Sequence, residues 1–209
     1  MAKFKGMPGM KLSGNIGGLV FVQVGDQTYV RRAPTRKKDS WSQKQQQHRT
    51  RFKSFTGFYR SLRETVVKPI WNLSATKNLT GYNLFMKANL PAFNSDGGHI
   101  DPALLHFSTG PLPLPRYLSA WRDVESPATV EISWHTEIIT RIEQPDDELL
   151  IAVRNNFQSF GPIETGCLRK DGNCLFDVSE WESTSPLNLY LFFASADRTR
   201  YSPDHYFGL

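Results

Sequence analysis

Cysteine, long apolar runs and acidic residues near the start are scarce in this chain of 209 residues, and each scarcity excludes a class of protein. Two cysteines are too few for the disulfide framework of a small secreted protein. No apolar run approaches the ~18 residues of a membrane-spanning helix. No apolar stretch follows the first lysines, as it would in a secretory signal. The sequence therefore predicts a cytoplasmic protein, or one associated with a virion or another assembly, without membrane contact.

Motifs that would indicate a reaction are also missing. The chain has no G-x-S-x-G for a serine nucleophile and no cysteine in an activating motif. Its five histidines lack metal-ligand spacing, and His99 with Asp101 is better explained by a turn followed by a helix cap. The acidic run from Asp146 to Glu148 is interpreted as a solvated approach to a strand, because consecutive carboxylates do not converge. We therefore expect no catalytic activity, no metal or other cofactor, and no small-molecule substrate.

Charge is divided unevenly along the chain. Residues 1–71 contain 15 Lys and Arg but only three acidic residues, Asp26, Asp39 and Glu64, which gives this part a net charge of +12. Residues 72–209 contain the other 10 basic residues and 17 acidic ones, a net charge of −7. This asymmetry indicates either a polyanionic partner for the front of the chain, or a front that docks on an acidic surface, its own or a neighbour's.

The front of the chain begins with a predicted β-hairpin. Two β-prone runs, LVFVQV and QTYVRR, flank Gly25 and Asp26, a two-residue loop that is typical of a type II′ turn. Counting outward from the loop predicts three cross-strand pairs: Gln23–Thr28, Val22–Tyr29 and Phe21–Val30. Upstream glycines permit a tight turn or a bulge: Gly14, Gly17 and Gly18. No Lys-Ser/Thr follows them, which argues against a phosphate-binding loop.

A long amphipathic helix is predicted from about Trp41 to Val67. Ser40 and Gln43 have the spacing of a capping box at its start. Apolar residues recur every three or four positions along it, as expected of a buried stripe: Phe52, Phe55, Tyr59, Leu62 and Val66. Pro69 and Trp71 are expected to end the helix.

Nine basic residues of the front are the candidate contacts with a polyanion or a protein partner. They come from the second hairpin strand, the linker after Pro34 and one side of the helix: Arg31, Arg32, Arg36, Lys37, Lys38, Arg49, Lys53, Arg60 and Arg63. At about 100° per residue, the last four fall on one arc of the helix beside the apolar stripe. Exposed aromatic residues are not interleaved with them, which weighs against recognition of bases.

From about Tyr117 the apolar pattern changes to period two, which is typical of strands. The run TVEISWH alternates in this way, and ELLIAVR, CLRKDGNCLF and LNLYLFFAS follow with turn signals between them. We therefore predict an α+β protein with a C-terminal β-sandwich of immunoglobulin or fibronectin-III type. The predicted organisation is a basic hairpin–helix module (1–95), a Gly/Pro-rich linker or edge segment (96–116), and the sandwich (117–209).

Three features of the predicted sandwich concern its interior. Trp134 on an early strand is expected to fill the core. A later strand is expected to turn one apolar face inward: Leu187, Leu189, Leu191 and Phe193. Cys167 and Cys174 flank the LRKDGN turn and would face each other across a hairpin. Their spacing leaves a disulfide open and favours a pair of thiols.

A serine-glycine-x-isoleucine-glycine hairpin, a Tyr-x-Arg-x-x-Pro and a Gln-rich helix begin the chain, in four segments: Met1–Phe4, Ser13–Gly17, Tyr29–Pro34 and Ser42–Phe52. In these segments the chain resembles a large family of Bacteroidetes proteins, and a similar opening occurs in small proteins encoded near bacteriophage structural genes. The later STGPLPLP and EISW are similar to the family's C-terminal sandwich. The chain departs from the family at FVQVGDQ and RKKDSW. The resemblance implies no enzymatic activity and no catalytic residues.

Two functions are compatible with this sequence. The first is a non-catalytic structural or interaction protein, whose basic front docks on an acidic partner or on a neighbouring copy in an assembly related to phage structures. The alternative is a nucleic-acid-binding protein, whose basic front contacts phosphates. The predicted partners are therefore another protein or a second copy, with nucleic acid as the alternative.

Overall fold

The computed structural model describes residues 2–4, 13–24, 27–35, 41–122, 126–155, 159–181 and 186–209. Within these residues the chain forms three α-helices and eleven β-strands. Contacts between residues divide the chain into two units, Met1–Ser42 and Gln43–Leu209.

The first unit contains a four-stranded antiparallel sheet, which we call the N-terminal sheet. Its strands follow the chain in this order: β1 (Ala2–Phe4), β2 (Gly14–Ile16), β3 (Leu19–Val24) and β4 (Gln27–Arg32). They lie side by side as β1-β4-β3-β2. The two long strands, β3 and β4, therefore form the centre of the sheet, and two three-residue strands form its edges.

The register of the central hairpin is the one that the sequence predicts. Across β3 and β4 the three predicted pairs are present: Gln23–Thr28, Val22–Tyr29 and Phe21–Val30. Gly25 and Asp26 lie outside the described residues. Gly17 and Gly18 join β2 to β3 with φ of 55° and 80°. Positive φ at both central residues is the requirement of a type I′ hairpin turn, which glycine meets without strain.

The second unit begins with three helices. They are α1 (Gln43–Leu62), α2 (Val67–Leu73) and α3 (Gly81–Asn89), and a short 3₁₀ turn, Leu90–Ala92, follows the last. The prediction of one helix as far as Val67 is wrong, because α1 ends at Leu62. Pro69 does not end a helix but lies in the first turn of α2, where the missing N–H of proline costs no hydrogen bond.

Seven strands complete the second unit and form two antiparallel sheets. They are β5 (Ser119–Arg122), β6 (Thr129–Ser133), β7 (Glu148–Arg154), β8 (Ser159–Leu168), β9 (Asn173–Asp177), β10 (Asn188–Ala194) and β11 (His205–Gly208). The four-stranded sheet has the order β11-β10-β7-β8, and the three-stranded sheet has the order β5-β6-β9. Short 3₁₀ turns at Pro102–Leu104, Arg169–Asp171 and Ser179–Trp181 lie in the connections.

Two hydrophobic cores organise this unit into three layers. The first core lies between the helices and the four-stranded sheet, and joins Phe55 and Phe85 to Tyr190. The second lies between the two sheets and joins Val130 to Phe193. The four-stranded sheet is therefore the middle layer, covered on one face by helices and on the other by strands.

Strand β10 shows the middle position most clearly, because all seven of its residues are buried. Leu189, Leu191 and Phe193 point into the core between the sheets, as predicted together with Leu187. Their neighbours Tyr190 and Phe192 point into the core under the helices. A strand with both faces covered reads as a continuous apolar run, which is how LNLYLFFA appears in the sequence.

The mixed helices and antiparallel sheets make this an α+β protein, as predicted. Trp134 is buried in the core between the sheets, and its Nε1 donates to the carbonyl of Arg169 at 2.8 Å. The segment predicted as a linker, 96–116, contributes Phe107 to the first core and Leu112 to the second. The division at residues 95 and 117 stays a prediction, and the helices and strands on either side of it share a core.

Cys167 and Cys174 form a disulfide, with Cα atoms 5.9 Å apart. The preference for a pair of thiols is therefore wrong. The two residues do not face each other across a hairpin either, because β8 belongs to the four-stranded sheet and β9 to the three-stranded sheet. The disulfide links the two sheets beside the core that they share. Packing of the sheets against this core brings the two cysteines together.

Reduction of this disulfide is expected to lower the free energy of unfolding by about 2 kcal/mol. Only seven positions separate the two cysteines, and a short closed loop constrains the unfolded chain less than a long one. Urea unfolding of the oxidised and reduced protein measures the difference. Reductant should not change the free energy of unfolding of the C167A/C174A variant. A change in this variant equal to that in the wild type would contradict the disulfide.

Candidate interaction surfaces

Arg31 and Arg32 lie on opposite faces of the N-terminal sheet. Arg31 pairs with Val20 and Arg32 with Leu19 across β3 and β4, and both arginines are exposed. Successive side chains of a strand point to opposite faces. The two guanidinium groups therefore belong to two different surfaces, although the sequence analysis placed both in one set.

Apolar side chains are exposed on both faces of this sheet. On the face of Arg32, Ile16 is 54% and Leu19 43% exposed, and on the face of Arg31, Val24 is 62% exposed. None of the described residues of β2, β3 and β4 is buried. A small sheet whose described side chains are not buried is expected to be marginally stable in water, and its exposed apolar surface is a candidate interaction site.

Helix α1 presents a stripe of basic residues. Arg49, Lys53 and Arg60 are exposed, and at 100° per residue they fall within an arc of about 40°. Phe55 and Leu62, on the other side of the helix, are fully buried in the first core. The burial of one side of α1 therefore leaves this basic stripe facing solvent.

The other predicted basic contacts do not join the stripe in this way. Arg63 follows the last residue of α1, and its Nε lies 3.5 Å from Oε1 of the adjacent Glu64, with both side chains exposed. An ion pair this exposed contributes little to stability. Arg36, Lys37 and Lys38 lie outside the described residues.

Arg51, which was not among the nine candidates, has a structural role. Its Nε and Nη2 donate to the carbonyl of Leu90 at 3.0 and 2.6 Å. Two charge-assisted bonds to one carbonyl hold α1 against the end of α3, where carbonyl groups lack helical partners. The side chain of Arg51 therefore contributes to packing within the fold. The basic stripe of α1 is formed by Arg49, Lys53 and Arg60.

A third exposed surface is the side of the three-stranded sheet that faces away from the core between the two sheets. We call it the outer face, and it is formed by Trp121, Glu131, Leu175 and Asp177. Trp121 pairs with Glu131, and Glu131 with Leu175, so the three side chains form one row across β5, β6 and β9. Trp121 is 41% and Leu175 70% exposed. Large apolar side chains this exposed on a sheet indicate a contact surface.

The outer face carries negative charge. Glu131 and Asp177 are both exposed. The backbone N–H of Ser179 donates to Oδ1 of Asp177 at 2.8 Å, and together with the Ser179 hydroxyl it lowers the pKa of that carboxyl below its usual value. Among the described residues of these three strands, no lysine or arginine alternates in phase with Glu131. An apolar and acidic surface of this kind suits a basic partner.

Arg169 occupies the interior and binds two acidic residues. Its Nε lies 3.0 Å from Asp147 Oδ2 and its Nη1 3.3 Å from Glu143 Oε1, and all three side chains are at most 2% exposed. Its Nη2 donates to the carbonyl of Pro113 at 2.9 Å, and the guanidinium carbon lies 4.7 Å from the centre of the Phe193 ring. Arg169 therefore links three segments beside the core between the sheets: the one before β5, the one between β6 and β7, and its own between β8 and β9.

Glu143 is held in its charged form by these contacts. Burial alone would raise the pKa of Glu143, but hydrogen bonds from Thr140 and Ile139 and the charge of Arg169 outweigh it. The pKa of this carboxyl therefore lies below its usual value. A carboxylate that accepts backbone N–H bonds beside a cation behaves in this way.

The interpretation of the acidic run 146–148 as solvated is wrong for Asp147. This residue is fully buried, and its backbone carbonyl also accepts from the N–H of Arg169 at 2.7 Å. Glu148 pairs instead with Arg198, which also contacts Glu164 at 2.8 Å. Asp101 behaves as predicted, because it caps a 3₁₀ turn by accepting from the N–H of Ala103 at 3.0 Å.

No group of three or more histidine, cysteine, aspartate or glutamate side chains in the described parts of the chain is arranged to hold a metal ion. None of the helices formed by the described residues combines the length and apolar character needed to cross a bilayer.

The chain matches no protein-family model, no curated protein and no solved structure. Nothing in these comparisons points to a catalytic family. The resemblance to Bacteroidetes and phage-associated proteins stays a prediction.

Four residues described above were not among the residues predicted to be functional from the sequence: Trp121, Glu131, Leu175 and Arg169. Period-two alternation in NCLFD places Leu175 opposite to Cys174 and Phe176, so its exposure was open to prediction. The row of side chains that Leu175 forms with Glu131 and Trp121 could not be predicted, because Trp121 and Leu175 are 54 positions apart in the sequence. No local pattern connects Arg169 to its carboxylates.

Proposed function

We propose that this chain is a non-catalytic structural protein, whose basic N-terminal region docks on an acidic partner or a neighbouring copy in an assembly. The observation that carries the proposal is the N-terminal sheet, where none of the described residues of β2, β3 and β4 is buried and apolar side chains are exposed on both faces. A sheet of this kind gains stability when another surface covers it. A partner protein supplies such a surface, whereas a phosphate backbone does not.

The distribution of charge supports a neighbouring copy as the partner. The first 71 residues carry +12 and the remainder −7, so the two parts of different copies attract each other. A contact between two different surfaces is heterologous and continues into rings or filaments. The resemblance of the opening residues to small proteins encoded near phage structural genes agrees with such an assembly.

We also infer that β5 to β11 form a sandwich related to the immunoglobulin and fibronectin-III types. Lettered A, B, C, C′, E, F and G in chain order, these strands give the sheets A-B-E and G-F-C-C′. Immunoglobulin sandwiches likewise place A, B and E on one sheet and C, F and G on the other. Proteins of this architecture often serve as binding modules, which is compatible with a role in assembly.

Binding of nucleic acid is the alternative, and the exposed stripe of α1 favours it. Arg49 and Arg60 lie 11 positions apart, which corresponds to about 16 Å along a helix. A stripe of this length spans several phosphates of a nucleic-acid strand. The stripe holds three cations only, and it does not explain the exposed apolar faces of the N-terminal sheet.

Sedimentation velocity of the full chain tests the proposal. The proposed docking predicts that the sedimentation coefficient rises with protein concentration, and that added salt reverses the rise because opposite charges are screened. A single monomeric species at all concentrations, without other protein added, would contradict association between copies.

A titration into labelled single-stranded DNA, duplex DNA and RNA tests the alternative. If log affinity falls with log salt at a slope of about −3 or steeper, several phosphates are in contact. K53A and R60A should then each flatten the slope. Absence of binding at low salt would exclude the alternative and leave the basic front to protein partners.

A further inference from the structure

We propose that the acceptor for the N-terminal sheet is the outer face of a second copy, and that Arg32 of one copy pairs with Glu131 of the next. This inference rests on the proposed function, because it names the two surfaces that such an association would use. The two surfaces match in composition and width and are opposite in charge.

The donor surface is one row of the N-terminal sheet, which we call the donor row. Ile16 pairs with Leu19, and Leu19 with Arg32, so the row crosses β2, β3 and β4 in order. Ile16 is 54% and Leu19 43% exposed, and Arg32 is exposed beside them. Three neighbouring strands at ~4.8 Å spacing make this row about 10 Å wide.

The acceptor surface has the complementary composition. In the outer face, Glu131 lies between the exposed side chains of Trp121 and Leu175, again across three adjacent strands. Its width is therefore the same as that of the donor row. Asp177 is also exposed on this face and adds a second carboxylate within reach of a docked arginine.

Each row holds two exposed apolar side chains and one charge, and the charges are opposite. With Arg32 opposite Glu131, Leu19 lies against one of the two apolar side chains beside Glu131. Burial of apolar surface is the favourable term in most protein association. Arginine to carboxylate is the ion pair with the best geometry at such contacts. Trp121 has the character of a hot-spot residue, since tryptophan and arginine dominate binding energy at interfaces.

The opposite face of the N-terminal sheet fits less well. Its arginine, Arg31, pairs with Val20, which is only partly exposed, and the next residue in that row is the polar Asn15. The row of Arg31 therefore lacks two exposed apolar side chains, and the exposed Val22 and Val24 of that face lie in other rows. This difference gives a matched control, because Arg31 and Arg32 are adjacent, exposed and equal in charge.

Charge reversal in the full chain tests the pairing. R32E and E131R should each weaken self-association by at least about tenfold in sedimentation velocity, because each places two like charges in contact. R31E carries the same change in net charge as R32E and should weaken it by less than about threefold. All three positions are exposed, so thermal unfolding in dilute solution, where the copies are dissociated, should match that of the wild type and confirms that each variant folds.

Mixing the two defective variants identifies the contact as one between copies. R32E retains a native outer face and E131R retains a native donor row, so a mixture restores opposite charges at every contact. We expect association to return in the mixture to within about threefold of wild type. W121A should weaken association at least about tenfold without affecting folding, because it removes the apolar anchor.

Each failure has a separate meaning. If the wild type does not associate, this inference is overturned, and the proposed function is confined to docking on a different, acidic protein. If the wild type associates but R32E and E131R behave like R31E, the proposed function stands and the pairing is overturned. If only the R32E/E131R double variant in one chain restores native behaviour and the mixture does not, the contact is intramolecular, which also overturns the inference.

Discussion

Replacement of Arg169 by methionine is expected to lower the free energy of unfolding by about 3–5 kcal/mol at neutral pH. The change removes the positive charge but leaves Asp147 and Glu143 buried, at 0% and 2% side-chain exposure. Each carboxylate then lacks the cation that offsets its desolvation. Urea unfolding monitored by tryptophan fluorescence measures the loss, with the midpoint and slope reported separately.

The adjacent Lys170 provides the control for this prediction. It is exposed, so K170M should change the free energy of unfolding by no more than about 0.5 kcal/mol. Equal losses in R169M and K170M would show that the buried ion pairs do not matter.

The loss in R169M should also depend on pH, with a defined sign. In the wild type the pKa of Glu143 is lowered on folding. Its contribution is therefore present above the unfolded pKa and disappears as pH falls through the folded value. In R169M the Glu143 carboxylate lacks the cation that offsets its burial, so the free-energy difference between variant and wild type should narrow as pH falls. A gap that widens in acid would contradict this assignment.

Replacement of Gly110 by alanine is the second large expected effect, a loss of about 1–3 kcal/mol, toward the upper end of that range. A Cβ at this position would overlap the backbone carbonyl of Tyr201. The N–H of Leu112 donates to that same carbonyl at 3.0 Å, and Tyr201 is buried. The obstructing atom thus belongs to a fixed backbone, which cannot move aside as a flexible side chain would.

The same substitution in α1 should have the opposite sign. Gly57 lies in the exposed part of the helix, and a Cβ there meets nothing within 4 Å. G57A should therefore raise the free energy of unfolding by about 0.5–1 kcal/mol, since alanine restricts the unfolded chain. Thermal or urea unfolding of both variants measures the pair, and a loss in G57A as large as that in G110A would contradict the described packing.

Features set by nearby residues were predictable from the sequence. The pairing of β3 with β4 follows from a two-residue loop between two β-prone runs, because the turn fixes the register. The alternation in LNLYLFFAS similarly indicates which residues of β10 point into the core between the sheets. The end of α1 was missed because the apolar period continues through Val66, although the chain leaves the helix after Leu62.

Features that depend on distant residues were not predictable. The disulfide between Cys167 and Cys174 could not be predicted, because β8 and β9 lie in different sheets and the local sequence does not indicate this arrangement. The ion pairs of Arg169 similarly join segments that come together only in the folded chain. At the candidate surface, the basic residues are evident from composition. The period of two in a strand is the signal that separates Arg31 from Arg32.

Hydrogen exchange of the full chain, compared between dilute and concentrated solution, tests whether the N-terminal sheet is the docking element. We expect amides of Leu19–Val24 and Gln27–Arg32 to gain protection with concentration, because docking stabilises strands whose described residues are not buried. The exposed stripe of α1 should not change. Unchanged exchange in both strands, or a gain in protection confined to α1, would contradict the proposal that the N-terminal sheet is the docking element.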